Sequence, residues 1–90
     1  MVDKPYIDEK LNNYEFLRTF KCGVITDELV WHRDEKGRYI TVMEGSGWEI
    51  QFENGLPKKL YKGDRFFIPA KTFHRIKRGN TDLKIKIEEF

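Results

Sequence analysis

Trp48-Glu49-Ile50-Gln51-Phe52-Glu53 alternates strictly between apolar and polar residues, and Asn54-Gly55 follows at once. Side chains two apart on a strand share a face, so Trp48, Ile50 and Phe52 form one apolar side of an extended segment. Asn-Gly is a strong short-range hairpin signal, because both residues tolerate the positive φ of a type I′ turn. The stretch therefore reads as the first arm of a tight hairpin. Leu60 and Tyr61 lie on its returning side, after Pro57, a residue suited to an edge or turn.

The same period of two extends in both directions. Leu29 to Asp34, Tyr39 to Glu44, Arg65 to Ile68, Phe73 to Lys77 and Leu83 to Ile87 are the further expected strands. Leu83, Ile85 and Ile87 alternate with Lys84, Lys86 and Glu88, the pattern of a half-buried closing strand. Tyr14 to Phe20 reads equally as a strand, an edge or a short helical turn. No long amphipathic helix is present in the pattern, and glycine, proline and asparagine punctuate the strands. Short strands at close spacing predict an all-β sandwich or barrel. No linker or repeat divides residues 1–90, so one domain is expected.

Composition narrows the function classes. Seventeen basic residues against fifteen acidic ones leave a net charge of only +2, with the signs interspersed, so no nucleic-acid partner is expected. Lys71, His74, Arg75, Lys77 and Arg78 form the one basic cluster, read as a solvated strand face or a pocket rim. Nowhere do eighteen apolar residues follow one another, and residues 1–10 carry no signal-like apolar run, so a membrane is not expected and the cytoplasm is. A single cysteine, Cys22, excludes an intrachain disulfide and reads as a small buried apolar residue. The only serine, Ser46, sits in a Gly-Ser-Gly turn, which leaves no serine-based triad; phosphate-loop and paired-cysteine zinc motifs are absent too. An enzyme built from this chain would work through a metal or a histidine.

The string Lys62 to Ile76, KGDRFFIPAKTFHRI, resembles the second motif of the cupin family, G-x5-P-x-G-x2-H-x3-N. Gly63 and Pro69 supply its glycine and proline, and His74 its histidine; Lys71 replaces the second glycine and Arg78 the asparagine. The first motif, G-x5-H-x-H-x3/4-E-x6-G, is degraded. Gly45 matches its last glycine, His32 and Asp34 fall on its two histidine positions, Arg38 replaces its glutamate, and Thr26 its first glycine.

The resemblance implies a cupin-type double-stranded β-helix, a jelly-roll barrel with a core over about residues 24–90. Residues 1–23 would then be an edge or exchanged strand. It also implies that His32, Asp34 and His74 are metal ligands. His32 and Asp34, two apart on a strand, would share the inward face, and His74 would meet them from a distant strand. Two imidazoles and one carboxylate form the facial triad suited to non-haem iron, with manganese, nickel and zinc as alternatives. Similar proteins include isomerases, dioxygenases and sugar-modifying enzymes, so the fold does not select a reaction.

Other readings of these residues stay open. Asp34, in RDEKGR, is either a ligand or an ordinary turn residue, and another register brings Glu35 nearer the site. Arg38 cannot ligate a cation; it either pairs with Asp34 or holds an anionic ligand with Lys71 or Arg75 at the mouth. Arg38, Tyr39, Trp48, Phe66 and Glu44 are the candidate contacts of a small-molecule ligand, Glu44 by the alternation it shares with Ile40 and Val42. The aromatics serve equally well as core filling. The small core and the uncertain N-terminal segment predict a homodimer, and a non-catalytic regulatory or interaction subunit whose exposed strands pair with a partner is the remaining alternative.

Overall fold

The computed structural model describes residues 6–23 and 31–90. Among them are eight strands: β1 (Tyr6–Lys10), β2 (Glu15–Phe20), β3 (Arg38–Glu44), β4 (Glu49–Phe52), β5 (Lys58–Lys59), β6 (Arg65–Ile68), β7 (His74–Lys77) and β8 (Leu83–Glu89). They form a five-stranded sheet, β1-β2-β8-β3-β6, and a three-stranded sheet, β5-β4-β7. Every pairing is antiparallel.

The alternation seen in the sequence places the core. Leu83, Ile85 and Ile87 of β8 are buried, as are Ile40 and Val42 of β3, which lie beside them in register. Trp48, Ile50, Leu60 and Ile68 close over them from the other strands and loops, and Phe20 of β2 joins the same cluster. Burying each such side chain contributes about 1.5–3 kcal/mol relative to leaving it in water. Because Phe20 is a core residue, the packed interior begins before residue 24. Tyr14 to Phe20, ambiguous in sequence, is strand β2, held between β1 and β8; β1 forms an edge on its own chain's sheet.

Two local expectations are corrected. The hairpin after β4 is not a two-residue type I′ turn. Gly55 N–H donates to the Phe52 carbonyl at 3.0 Å, and of the two turn residues only Asn54 has positive φ, at 66°. The returning strand β5 pairs Glu49 with Lys59 and Ile50 with Lys58, so residues 53–57 form a longer loop. The strand expected over Leu29 to Asp34 is also changed: residues 29 and 30 lie outside the described residues, and in 31–34 only His32 makes a bridge, to His74.

Candidate metal centre

That single bridge brings the two histidines together. His32 N–H donates to the His74 carbonyl at 3.0 Å, and His74 N–H returns the bond to His32 at 2.9 Å. Residues locked opposite one another in this way project to the same side, and the rings meet edge to face at 4.4 Å. Phe52, the partner of His74 across β4–β7, packs on it at 6.1 Å.

Asp34 is held by its backbone, whose carbonyl accepts Lys71 N–H at 2.7 Å. Lys71 has φ of 60°, the left-handed region that favours glycine, and it occupies the position where the second motif carries a glycine. The ligand-capable atoms of His32, Asp34 and His74 all lie within 4.8 Å of one another.

His74 is 3% exposed. Its Nδ1 lies 2.8 Å from the Thr72 carbonyl. A carbonyl only accepts, so Nδ1 carries the proton and Nε2 presents a lone pair. Burial pushes the imidazole pKa below its ordinary value, helped by the charges of His32 and Arg38 and opposed by the Thr72 hydrogen bond and Asp34. The bare Nε2 lies 3.4 Å from Asp34 Oδ2. That oxygen is buried and makes no hydrogen bond. A lone pair of nitrogen and a carboxylate oxygen face each other, an arrangement that a cation or a proton between them stabilises.

Arg38 also approaches Asp34. Its Nη1 is 3.4 Å from Oδ2, while Nε and Nη2 donate to Glu89 Oε2 at 2.9 and 2.7 Å. The guanidinium is tied chiefly to Glu89, its neighbour across β3–β8, and leaves Asp34 Oδ2 without a hydrogen bond.

The cluster opens into a cavity of about 300 Å³ lined by Arg38, Ile40, Ile50, Phe66, Ile85 and Ile87 among others. Of the five residues expected to contact a ligand, Arg38 and Phe66 line it. Tyr39 does not: it belongs to the outward set of β3, opposite Phe67, with Phe90 on its edge and Arg65 4.1 Å above its ring. Trp48 is fully buried outside the lining, with Nε1 donating to the Thr81 carbonyl at 2.6 Å.

Glu44 is exposed, because a register shift between Val42 and Glu44 breaks the alternation and sets it opposite the outward Lys84. Arg75 is likewise outside, bonded to Gln51 and stacked over Trp31, and Lys71 is exposed, so neither forms the cavity mouth with Arg38. Cys22 is exposed rather than buried, since Asp82 Oδ1 accepts its N–H at 2.8 Å and holds the turn at the surface.

Tyr6 and Arg18 line the cavity as well, neither of them marked out by the sequence. Arg18, on β2, points inward between Phe16 and Phe20, and the alternation of EFLRTF was the available signal. It went unread because residues 14–20 did not declare themselves a strand.

Fold and site together define a small cupin-fold barrel carrying a two-histidine, one-carboxylate cluster in which His74 is buried, Asp34 half-buried and His32 exposed. No protein-family model matches the sequence, and no curated protein matches it. Solved structures do. A cupin domain from Bordetella pertussis superposes with a TM-score of 0.60 at 16% identity, over 100% of this chain and 98% of that one. The DMSP lyase DddQ from Ruegeria pomeroyi gives 0.71 at 16% identity, over 83% of this chain. FeII HppE gives 0.64 at 15% identity, over 84% of this chain. The chain spans only 36% and 41% of the length of those last two proteins. Among the described residues no helix is long and apolar enough to cross a membrane.

Proposed function

We propose that the protein binds a divalent transition metal through His32, Asp34 and His74, and a small molecule beside it in the cavity. The observation that carries this reading is the lone pair of His74 Nε2 facing, at 3.4 Å, a buried Asp34 Oδ2 that makes no hydrogen bond. The donor set fits: two imidazoles and one carboxylate leave open positions on a metal and suit Fe(II) best, with manganese, nickel and zinc as alternatives. FeII HppE, similar in fold, supports iron as the first metal to offer.

When bound, such a metal supplies Lewis-acid polarisation of a substrate oxygen or a site for oxygen activation. The chain's own residues do the rest. Thr72 fixes the tautomer of His74, as a backbone carbonyl on the other ring nitrogen does for a metal-ligating histidine. Glu89 restrains Arg38, so that its charge does not take over the Asp34 carboxylate. Apolar side chains of β3, β4 and β8 line the ligand space beside the cluster.

The reading includes a reducing, cytoplasmic setting, which the lone exposed thiol of Cys22 suits. It also includes a homodimer, with the exposed Phe67 and Phe90 beside Tyr39 as a surface for the second copy; a strict monomer in light scattering removes that part.

Elemental analysis of untagged protein, before and after chelator dialysis, tests the metal. Near-stoichiometric iron, manganese, nickel or zinc that the chelator removes is expected. Absence persisting after metals are offered back would falsify the reading and favour a metal-free binding module. The two arginines lining the cavity are the observation behind that second reading.

A further inference from the structure

Arg18 takes no part in the His32–Asp34–His74 cluster, yet it is a largely buried cation in a wall of isoleucines. On β2 it lies opposite Ile85, and its side chain is only 12% exposed. The guanidinium is held rigidly. Its carbon sits 3.6 Å over the Tyr6 ring and 5.3 Å from the centre of Phe16. Its Nε and Nη2 donate to the two oxygens of Asp8 at 2.8 and 3.0 Å. That bidentate pair uses one edge of the planar fork and leaves Nη1 for another acceptor. Arg38, the other lining arginine, has no such edge to offer: Glu89 takes its Nε and Nη2, and its Nη1 faces Asp34.

We propose that Arg18 anchors the carboxylate of a small organic acid, whose apolar body lies along Ile40, Ile50, Ile85 and Ile87. This rests on reading the cavity as the ligand site. A preorganised, stacked and largely buried guanidinium binds a carboxylate better than a mobile surface lysine does. The apolar walls select against sugars and polyols, whose hydroxyls would be buried without partners. The volume, about 300 Å³, sets the size at about ten non-hydrogen atoms, taking about 30 Å³ for each by analogy with water.

The probes are hexanoate, hexan-1-ol and inorganic phosphate, titrated calorimetrically into the purified full chain, with metal content measured on the same samples. Hexanoate binds at least tenfold more tightly than hexan-1-ol and than phosphate. Arg18→Gln weakens hexanoate at least tenfold and leaves hexan-1-ol unchanged. Asp8→Asn tightens hexanoate, because it frees the second edge of the fork; a purely structural Arg18 gives no such gain. If Arg18→Gln does not fold, Arg18→Lys replaces it, with an intermediate loss expected from the missing planar fork.

Equal binding of acid and alcohol, or an Arg18 variant that keeps full hexanoate affinity, overturns the proposal. Phosphate binding as tight as hexanoate overturns it too, in favour of a simple phosphate site. Protein that holds metal but no hexanoate loses this inference alone. Protein that binds hexanoate through Arg18 but takes up no metal loses the metal reading alone.

Discussion

The two ends of the barrel are built from the same strands and filled in opposite ways. At one end β3 and β8 contribute Val42 and Leu83, and Trp48 fills the space between the sheets, its indole N–H satisfied by the Thr81 carbonyl. Packing there is close enough to require glycines. A Cβ at Gly45, whose φ is 141°, would lie 2.8 Å from the Leu83 side chain, and one at Gly79 would collide with Trp48. At the other end the same two strands end in Arg38 and Glu89, and β7 begins with the buried His74. There the interior is left partly open and a carboxylate oxygen is left without a hydrogen bond. One end spends its side chains on dense packing and gains stability; the other gives up packing for a polar cluster with room beside it.

That contrast is open to direct attack. Trp48→Ala strikes the packed end and costs about 3–5 kcal/mol in urea denaturation, the usual range for emptying a large aromatic site. A loss under about 1 kcal/mol would mean that the two ends do not differ in this way. His74→Ala strikes the open end. It leaves a folded barrel and lowers metal affinity beyond the 10–100-fold typical of losing an outer-shell partner; stoichiometric metal in this variant sinks the assignment of the cluster.

Glu89→Gln tests the restraint on Arg38. Freed from Glu89, the guanidinium turns to Asp34, and metal affinity in a competition titration drops about tenfold, at the lower end of outer-shell effects. Unchanged affinity would show that Arg38 is not held in check by its partner.

The pH response of the metal-free protein separates the ends more gently. The pKa of His74 is lower in the folded chain than in the unfolded one, where it is about 6.5. As pH falls below that value the unfolded chain takes up the proton first. The stability supplied by neutral His74 is therefore complete above about pH 6.5 and is lost as pH falls through the folded value. Denaturation curves between pH 7.5 and pH 5, on the order of the window set by a histidine, decline for the parent and flatten for His74→Gln. The same slope in both proteins assigns the acid sensitivity elsewhere. The smallest effect is a gain. Lys71→Gly relieves a left-handed residue beside Asp34, and the relief of about 1–2 kcal/mol is partly offset by glycine's backbone entropy. A rise of less than about 1 kcal/mol is expected, with no change at the packed end.

Much of this is legible in the amino-acid sequence. Strict alternation in 48–53 and 83–87 announced strands and the faces they bury, because a period of two has no other physical use. The resemblance of the stretch around Gly63, Pro69 and His74, and of His32 and Asp34 upstream, to the two cupin motifs implied a barrel interior holding those three polar side chains. What pattern alone left undecided was anything set by partners distant in sequence. The bulge that turns Glu44 outward, the outward placement of Tyr39 and the depth of Trp48 depend on which strand lies alongside. The inward aim of Arg18 depends on β2 being enclosed between β1 and β8. The sequence by itself determined an all-β chain and its list of polar candidates. Tertiary structure alone decided which of them share one cavity, because that follows from cross-strand register, and register is a property of pairs of strands rather than of any one stretch.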